Sequence, residues 1–162
     1  MSVRDAFRRG FSRVAAKSPF HQPAVIYRAE TDAGGVVIYD DQGQMVFREV
    51  ERTHAFRDLP SEDRLGIWQG EYTDGTSHAG AVTLSVLTST LLDHGFLIGM
   101  TDPLGPTLFH VMAVKSGDVA GVMVKVLGKP VMAPMPRLLH PNEAWPPVPD
   151  PIPDPIPDPV GP

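Results

Sequence analysis

The sequence predicts an all-β fold, a small antiparallel β-barrel or sandwich, with an N-terminal helix before it and an extended Pro-rich C-terminal arm after it. Three observations predict this. From Ala24 to Gly128 apolar residues recur with a period of two, in short runs separated by Gly-, Asp- and Pro-bearing turns. No stretch alternates strand and helix as a βαβ unit would. The last residues, PPVPDPIPDPIPDPVGP (146–162), place proline at nearly every second position. Proline has no amide hydrogen and a fixed φ, so neither a helix nor an interior strand accepts that pattern.

The elements follow in order, over 1–20 (helix), 21–129 (barrel or sandwich) and 130–162 (arm). Residues 2–17, SVRDAFRRGFSRVAAK, have helical spacing: Val3, Phe7, Phe11 and Val14 form one narrow apolar stripe. Ser2 caps it with Asp5 three residues on, a weak capping box, and Ser18-Pro19 ends it. Gly10 costs roughly 1 kcal/mol against Ala, so the stripe must dock on something. AVIYR (24–28), VVIYD (36–40) and QMVFREVER (44–52) read as strands, with turns at Asp32–Gly35 and Asp40–Gly43. THAFRDLPSEDRLG (53–66) has no clean period and reads as loop. IWQGEYT (67–73) resumes as strand before the hairpin signal Asp74-Gly75. GAVTLSVLTS (80–89), GFLIGM (95–100), TLFHVMAVK (107–115) and VAGVMVKVLG (119–128) complete the set, with Val82, Leu84, Val86 and Val122, Val124, Val126 directed inward. From Pro130 the chain is extended and Pro-punctuated.

Composition bounds the chemistry. The 162 residues contain no cysteine, which excludes disulfides, thiolate metal sites and a cysteine nucleophile. No apolar run reaches the ~18 residues that cross a bilayer, and the basic N-terminus lacks the apolar core of a secretory signal. No membrane contact is expected. Net charge is −5, unevenly spread. Arg4, Arg8, Arg9, Arg13 and Lys17 against Asp5 give the first 20 residues +4; Glu143, Asp150, Asp154 and Asp158 give residues 141–162 −4. Opposite charge at the two ends suits head-to-tail contact between copies, or a grip on two different neighbours.

Catalytic and metal signatures are missing from the sequence. The six histidines lie in separate segments with no ligand-type spacing. His110 shares a strand face with Leu108, Met112 and Val114 and reads as a core or interface residue. Asp93-His94 with Ser85 or Ser89 has the residue types of a triad but no Gly-x-Ser-x-Gly elbow. Asp40-Asp41 and Glu62-Asp63 fall in turns, where carboxylates cap amides. No calcium loop or phosphate-cradling Gly-Lys-Ser/Thr occurs, and Tyr27, Tyr39 and Phe47 stand among acids, unlike an RNA-binding sheet. The expectation is a protein that is not an enzyme and holds no cofactor and no metal.

The succession of helix, short strands, irregular segment and closing β-meander resembles the head–tail joining (head completion or stopper) proteins of long-tailed phages and phage-like particles. The residues that carry it are 3–17 and, more closely, AVTLSVLTSTLLDHGFLIGM (81–100) and TLFHVMAVKSGDVAGVMVKVLG (107–128). The 53–79 insertion and the 129–162 tail depart from that pattern. The resemblance implies a homo-oligomeric ring in a virion, assembled in the host cytoplasm, between portal- or adaptor-side and tail-side proteins. A non-enzymatic immunity or adaptor module, or another tail or decoration component, is the alternative. Partner-binding residues are expected on both arms: Arg4, Phe7, Arg8, Arg9, Phe11 and Arg13 on the helix, facing an acidic neighbour or, less favoured, DNA phosphates in a channel; and Trp145, Asp150, Ile152, Asp154, Ile156 and Asp158 on the tail. The tail's four-residue step does not match the three residues per turn of polyproline II. Ile152 and Ile156 therefore take separate pockets, with Trp145 as anchor.

Overall fold

Period-two alternation sends every second side chain toward a common interior, and six strands use it to close on themselves. The computed structural model describes residues 21–57, 81–102, 105–116 and 123–146, with Ala6, Arg9, Gly10, Arg13 and Lys17. The strands are β1 (Gln22–Ala29), β2 (Val46–Arg57), β3 (Val82–Leu87), β4 (Phe96–Asp102), β5 (Gly105–Ser116), β6 (Met123–Pro130) and β7 (Arg137–Leu139). Their order is β1-β4-β5-β6-β3-β2, and β2 pairs with β1 again, closing an antiparallel barrel. β7 lies outside the six, parallel to the start of β2, with Val46 opposite Arg137 and Arg48 opposite Leu139. Closure needs bending, and two bulges supply it. Val50 is the extra residue between the pairs Ile26–Glu51 and Tyr27–Glu49; Met112 is the extra residue between Val111–Gly128 and Ala113–Leu127.

The interior is built from all six strands: Ala24, Ile26, Ala55, Leu84, Val86, Phe96, Ile98, Met100, Phe109, Val111 and Val126, with Val82, Val114 and Val124 packed against them. The inward faces expected for β3 and β6 are thus observed, apart from Val122, which lies outside the described residues. Gly128 also faces inward. A Cβ there would sit 3.1 Å from Phe109 Cβ and 3.2 Å from Leu84 Cδ1, so the ring of Phe109 fills the space a side chain would need. Glu51 turns inward too, and its Oε2 accepts from Thr88 Oγ1 at 2.6 Å and Thr90 Oγ1 at 2.7 Å. Those two bonds satisfy a carboxylate that water does not fully reach.

Three expectations change. VVIYD (36–40) is not a strand; it makes only the single bridges Thr31–Val37 and Tyr39–Met45. The reason is chemical. Asp32 Oδ1 accepts the amides of Gly34 and Val36, and Asp40 Oδ1 those of Gln42 and Gln44. Each Asp closes a tight turn that ends on a glycine with positive φ, Gly35 (81°) and Gly43 (74°). Residues 53–57, expected as loop, continue β2, with Ala55 buried between Gln22 and Val86. The Met112 bulge puts Val114 on the inner face, so His110 keeps Leu108 as a face-mate but loses Val114. In the N-terminal segment Ala6, Arg9, Gly10 and Arg13 have helical backbone and are exposed; the remainder of helix 2–17 and strand 67–73 lie outside the described residues.

Candidate functional site

The chain leaves the barrel at Pro130, and its course through residues 131–146 builds the site. Val131 still donates its amide to the Leu108 carbonyl at 2.8 Å. Residues 137–139 then add β7 to the free edge of β2, and the turn after it, His140–Glu143, closes with the Glu143 amide on the His140 carbonyl. Turns of this kind leave carbonyl oxygens converging, and convergent acceptors attract a cation. Arg48 supplies it. Its Nη1 faces the carbonyls of Glu143 (2.6 Å), His140 (3.1 Å) and Pro141 (3.3 Å), and its Nε donates to Glu30 Oε1 at 2.6 Å. One strand residue thus ties the turn to the barrel and is itself held by a partly buried carboxylate.

Glu143 locks the turn from the other side. Its Oε2 accepts the His140 amide at 3.1 Å and its Oε1 accepts from Arg137 Nη2 at 3.0 Å. The His140 amide and then the Arg137 guanidinium hold its carboxyl below the usual carboxylate range. Arg137 in turn stands over Trp145, its guanidinium carbon 5.9 Å from the ring centroid. Trp145, the expected anchor, is half-buried at the foot of the arm.

Two adjoining grooves flank this foot. One, of about 400 Å³, runs between the Asp40–Gln44 turn and Met135, Arg137 and Trp145. The other, of about 210 Å³, has Phe47 and His110 beneath Gly43–Met45 and the segment Val131, Met132, Pro134, Pro136. They share Gln44 and Pro136. Met132 and Met135 are 78% and 50% exposed along this line. Burial pushes the His110 imidazole below its ordinary value, so it is neutral at pH 7. A surface of methionine, proline and aromatic rings has the chemistry of peptide binding. Among the described residues no group of three His, Cys, Asp or Glu could hold a metal, and no helix is long and apolar enough to cross a membrane.

Of the residues expected to bind partners, Trp145 lies in this site, and Arg9 and Arg13 are exposed far along the sequence from it. Arg4, Phe7, Arg8, Phe11, Asp150, Ile152, Asp154, Ile156 and Asp158 lie outside the described residues. Sequence reasoning missed Arg48, Glu30, Arg137 and Glu143, whose relation depends on contacts 92 to 95 residues apart for Arg48. The one available signal was VMAPMPR (131–137), two methionines in an apolar segment whose prolines keep it from being an interior strand.

No family model matches the chain, and no curated protein matches it. Among solved structures it is similar to protein SF1141 from Shigella flexneri 2a, a solution structure, at 14% identity and a TM-score of 0.46, over 69% of this chain and 93% of that one.

Proposed function

We propose that this chain is a non-catalytic connector subunit that joins neighbouring proteins through its termini, in the form of a ring at the head–tail junction of a phage or phage-like particle. The observation that supports this reading is the braced root of the C-terminal arm. A free spacer needs no such root, whereas here Arg48, Glu30, Arg137 and Glu143 fix the last turn before Trp145. A proline-rich segment is already stiff, so a fixed root gives it a defined direction and lowers the entropy lost on docking. The basic N-terminal segment would serve the opposite neighbour.

Native mass spectrometry of the purified chain, alone and with particle components, tests the proposal. A discrete ring, or a monomer that assembles only on particles, supports it. A tight one-to-one complex with a single small partner moves the chain to the adaptor or immunity class. Replacing Arg4, Arg8, Arg9 and Arg13 by glutamine is expected to reduce incorporation into particles, and unchanged incorporation removes the N-terminal half of the proposal.

A further inference from the structure

The groove beside the arm's root has a composition that the arm itself matches. Met132 is its exposed rim and Phe47 and the neutral His110 line it, while Met135 stands in the adjoining groove across the shared Pro136. Surfaces of this kind take polyproline II ligands, whose rings insert between aromatic and thioether side chains at reduced ordering cost. The last residues of the chain are such a ligand, with Ile152 and Ile156 set between prolines.

The arm's own sequence argues against return to its own groove. Val148, Asp150, Ile152, Asp154, Ile156 and Asp158 each precede a proline, and a residue before proline is barred from the α region. Every second residue is itself proline with φ fixed. A reversal close to the root is therefore disfavoured at each step. From Pro147 to Pro162 such a chain reaches roughly 50 Å, against a radius of gyration near 14 Å for a domain this size. Charge sets the orientation. Asp40's carboxylate is committed to two amides, and Asp41 at the turn tip repels the arm's acids. Lys129, opposite His110 in the β5–β6 register, supplies positive charge beside His110, whereas Arg137 is already paired with Glu143.

We propose that the Met132–Met135 groove is the socket for the Pro-rich arm of a second copy of this chain, giving a head-to-tail contact that repeats from subunit to subunit. The inference rests on the reading of the arm as a docking element and adds its receptor. A heterologous contact of this type has two different halves, which can be disabled separately.

The test uses the full chain in sedimentation velocity over a concentration series, with two double variants. Met132→Glu/Met135→Glu damages the socket and Ile152→Asp/Ile156→Asp damages the arm; circular dichroism and thermal midpoint check that each still folds. The wild type is expected to self-associate with increasing concentration, and each variant alone to do so at least tenfold more weakly. An equimolar mixture, which restores one intact socket and one intact arm, is expected to form a one-to-one dimer and nothing larger. A wild type that stays monomeric, variants that associate normally, or a mixture that stays monomeric each overturns the socket assignment. A monomeric wild type that binds another particle protein through its arm overturns the socket alone and leaves the connector reading standing; loss of both leaves neither.

Discussion

At the scale of single residues, protonation gives the fold a direction of pH dependence. Burial lowers the pKa of His110 and, with the charge of His54, that of His21. A base whose folded pKa lies below its unfolded value of about 6.5 binds more protons when unfolded. Its contribution to stability is full above that pH and is lost as pH falls toward the folded pKa. Glu49 acts lower. The Arg52 hydrogen bonds, at 2.6 and 3.0 Å, hold its buried carboxyl below the usual range, so its contribution is present above about pH 4.3 and is lost as pH falls through the folded pKa. Stability from urea denaturation is therefore expected to decline in two steps on acidification, with His110→Gln flattening the upper step and Glu49→Gln the lower; a profile flat between pH 7 and 5 would contradict the first. Packing gives a second residue-scale prediction. Leu84→Ala empties a fully buried site and is expected to cost about 2–5 kcal/mol. Gly128→Ala, which drives a methyl against Phe109 and Leu84, is expected to cost about 1–3 kcal/mol by the same measurement.

At the scale of elements, β2 is where sequence and structure part company most usefully. Its central run was legible as the β-rich stretch QMVFREVER that follows the Asp40–Gly43 turn, and β3 from the clean alternation of Val82, Leu84 and Val86. Thr53–Arg57 was not, since it has no clean apolar period; Ala55 reaches the core there, and pairing with β1 and β3 extends the strand. VVIYD has better strand composition than Thr53–Arg57 yet forms none, because the turns that Asp32 and Asp40 close on either side of it leave it only single bridges, through Val37 and Tyr39. The root of the arm was hidden for a third reason: Arg48 reads as an ordinary outward strand residue until the chain returns 92 residues later. Its role is directly testable. Arg48→Ala leaves three turn carbonyls and Glu30 without their cation and is expected to cost about 2 kcal/mol. Hydrogen exchange should speed up at residues 137–143 while the amides of β4 and β5 keep their protection. Uniform acceleration across the barrel would mean that Arg48 supports the whole fold rather than the root.

At the scale of the whole molecule, the proposed reading makes the barrel a mount and the termini its contact elements. All seven described strands and the Arg48 anchor are complete by Pro146, so the barrel's described strand pairing closes before the residues that follow. Those residues carry three of the four acids of the C-terminal segment and no base, and their alternating prolines make them poor material for the chain's own core. Removing residues 147–162 is therefore expected to leave the circular dichroism spectrum unchanged and the thermal midpoint within a few degrees, while abolishing assembly with the neighbouring subunit or particle protein. The two readouts separate the roles: a truncated chain that unfolds would make the arm part of the fold, and one that folds and assembles as the full chain does would strip it of any connecting role. Adding the free peptide 146–162 to the full chain gives the converse measurement. It should compete with the tethered arm and shorten assemblies in proportion to its concentration, because a heterologous contact is ended by any ligand that fills one socket without offering another.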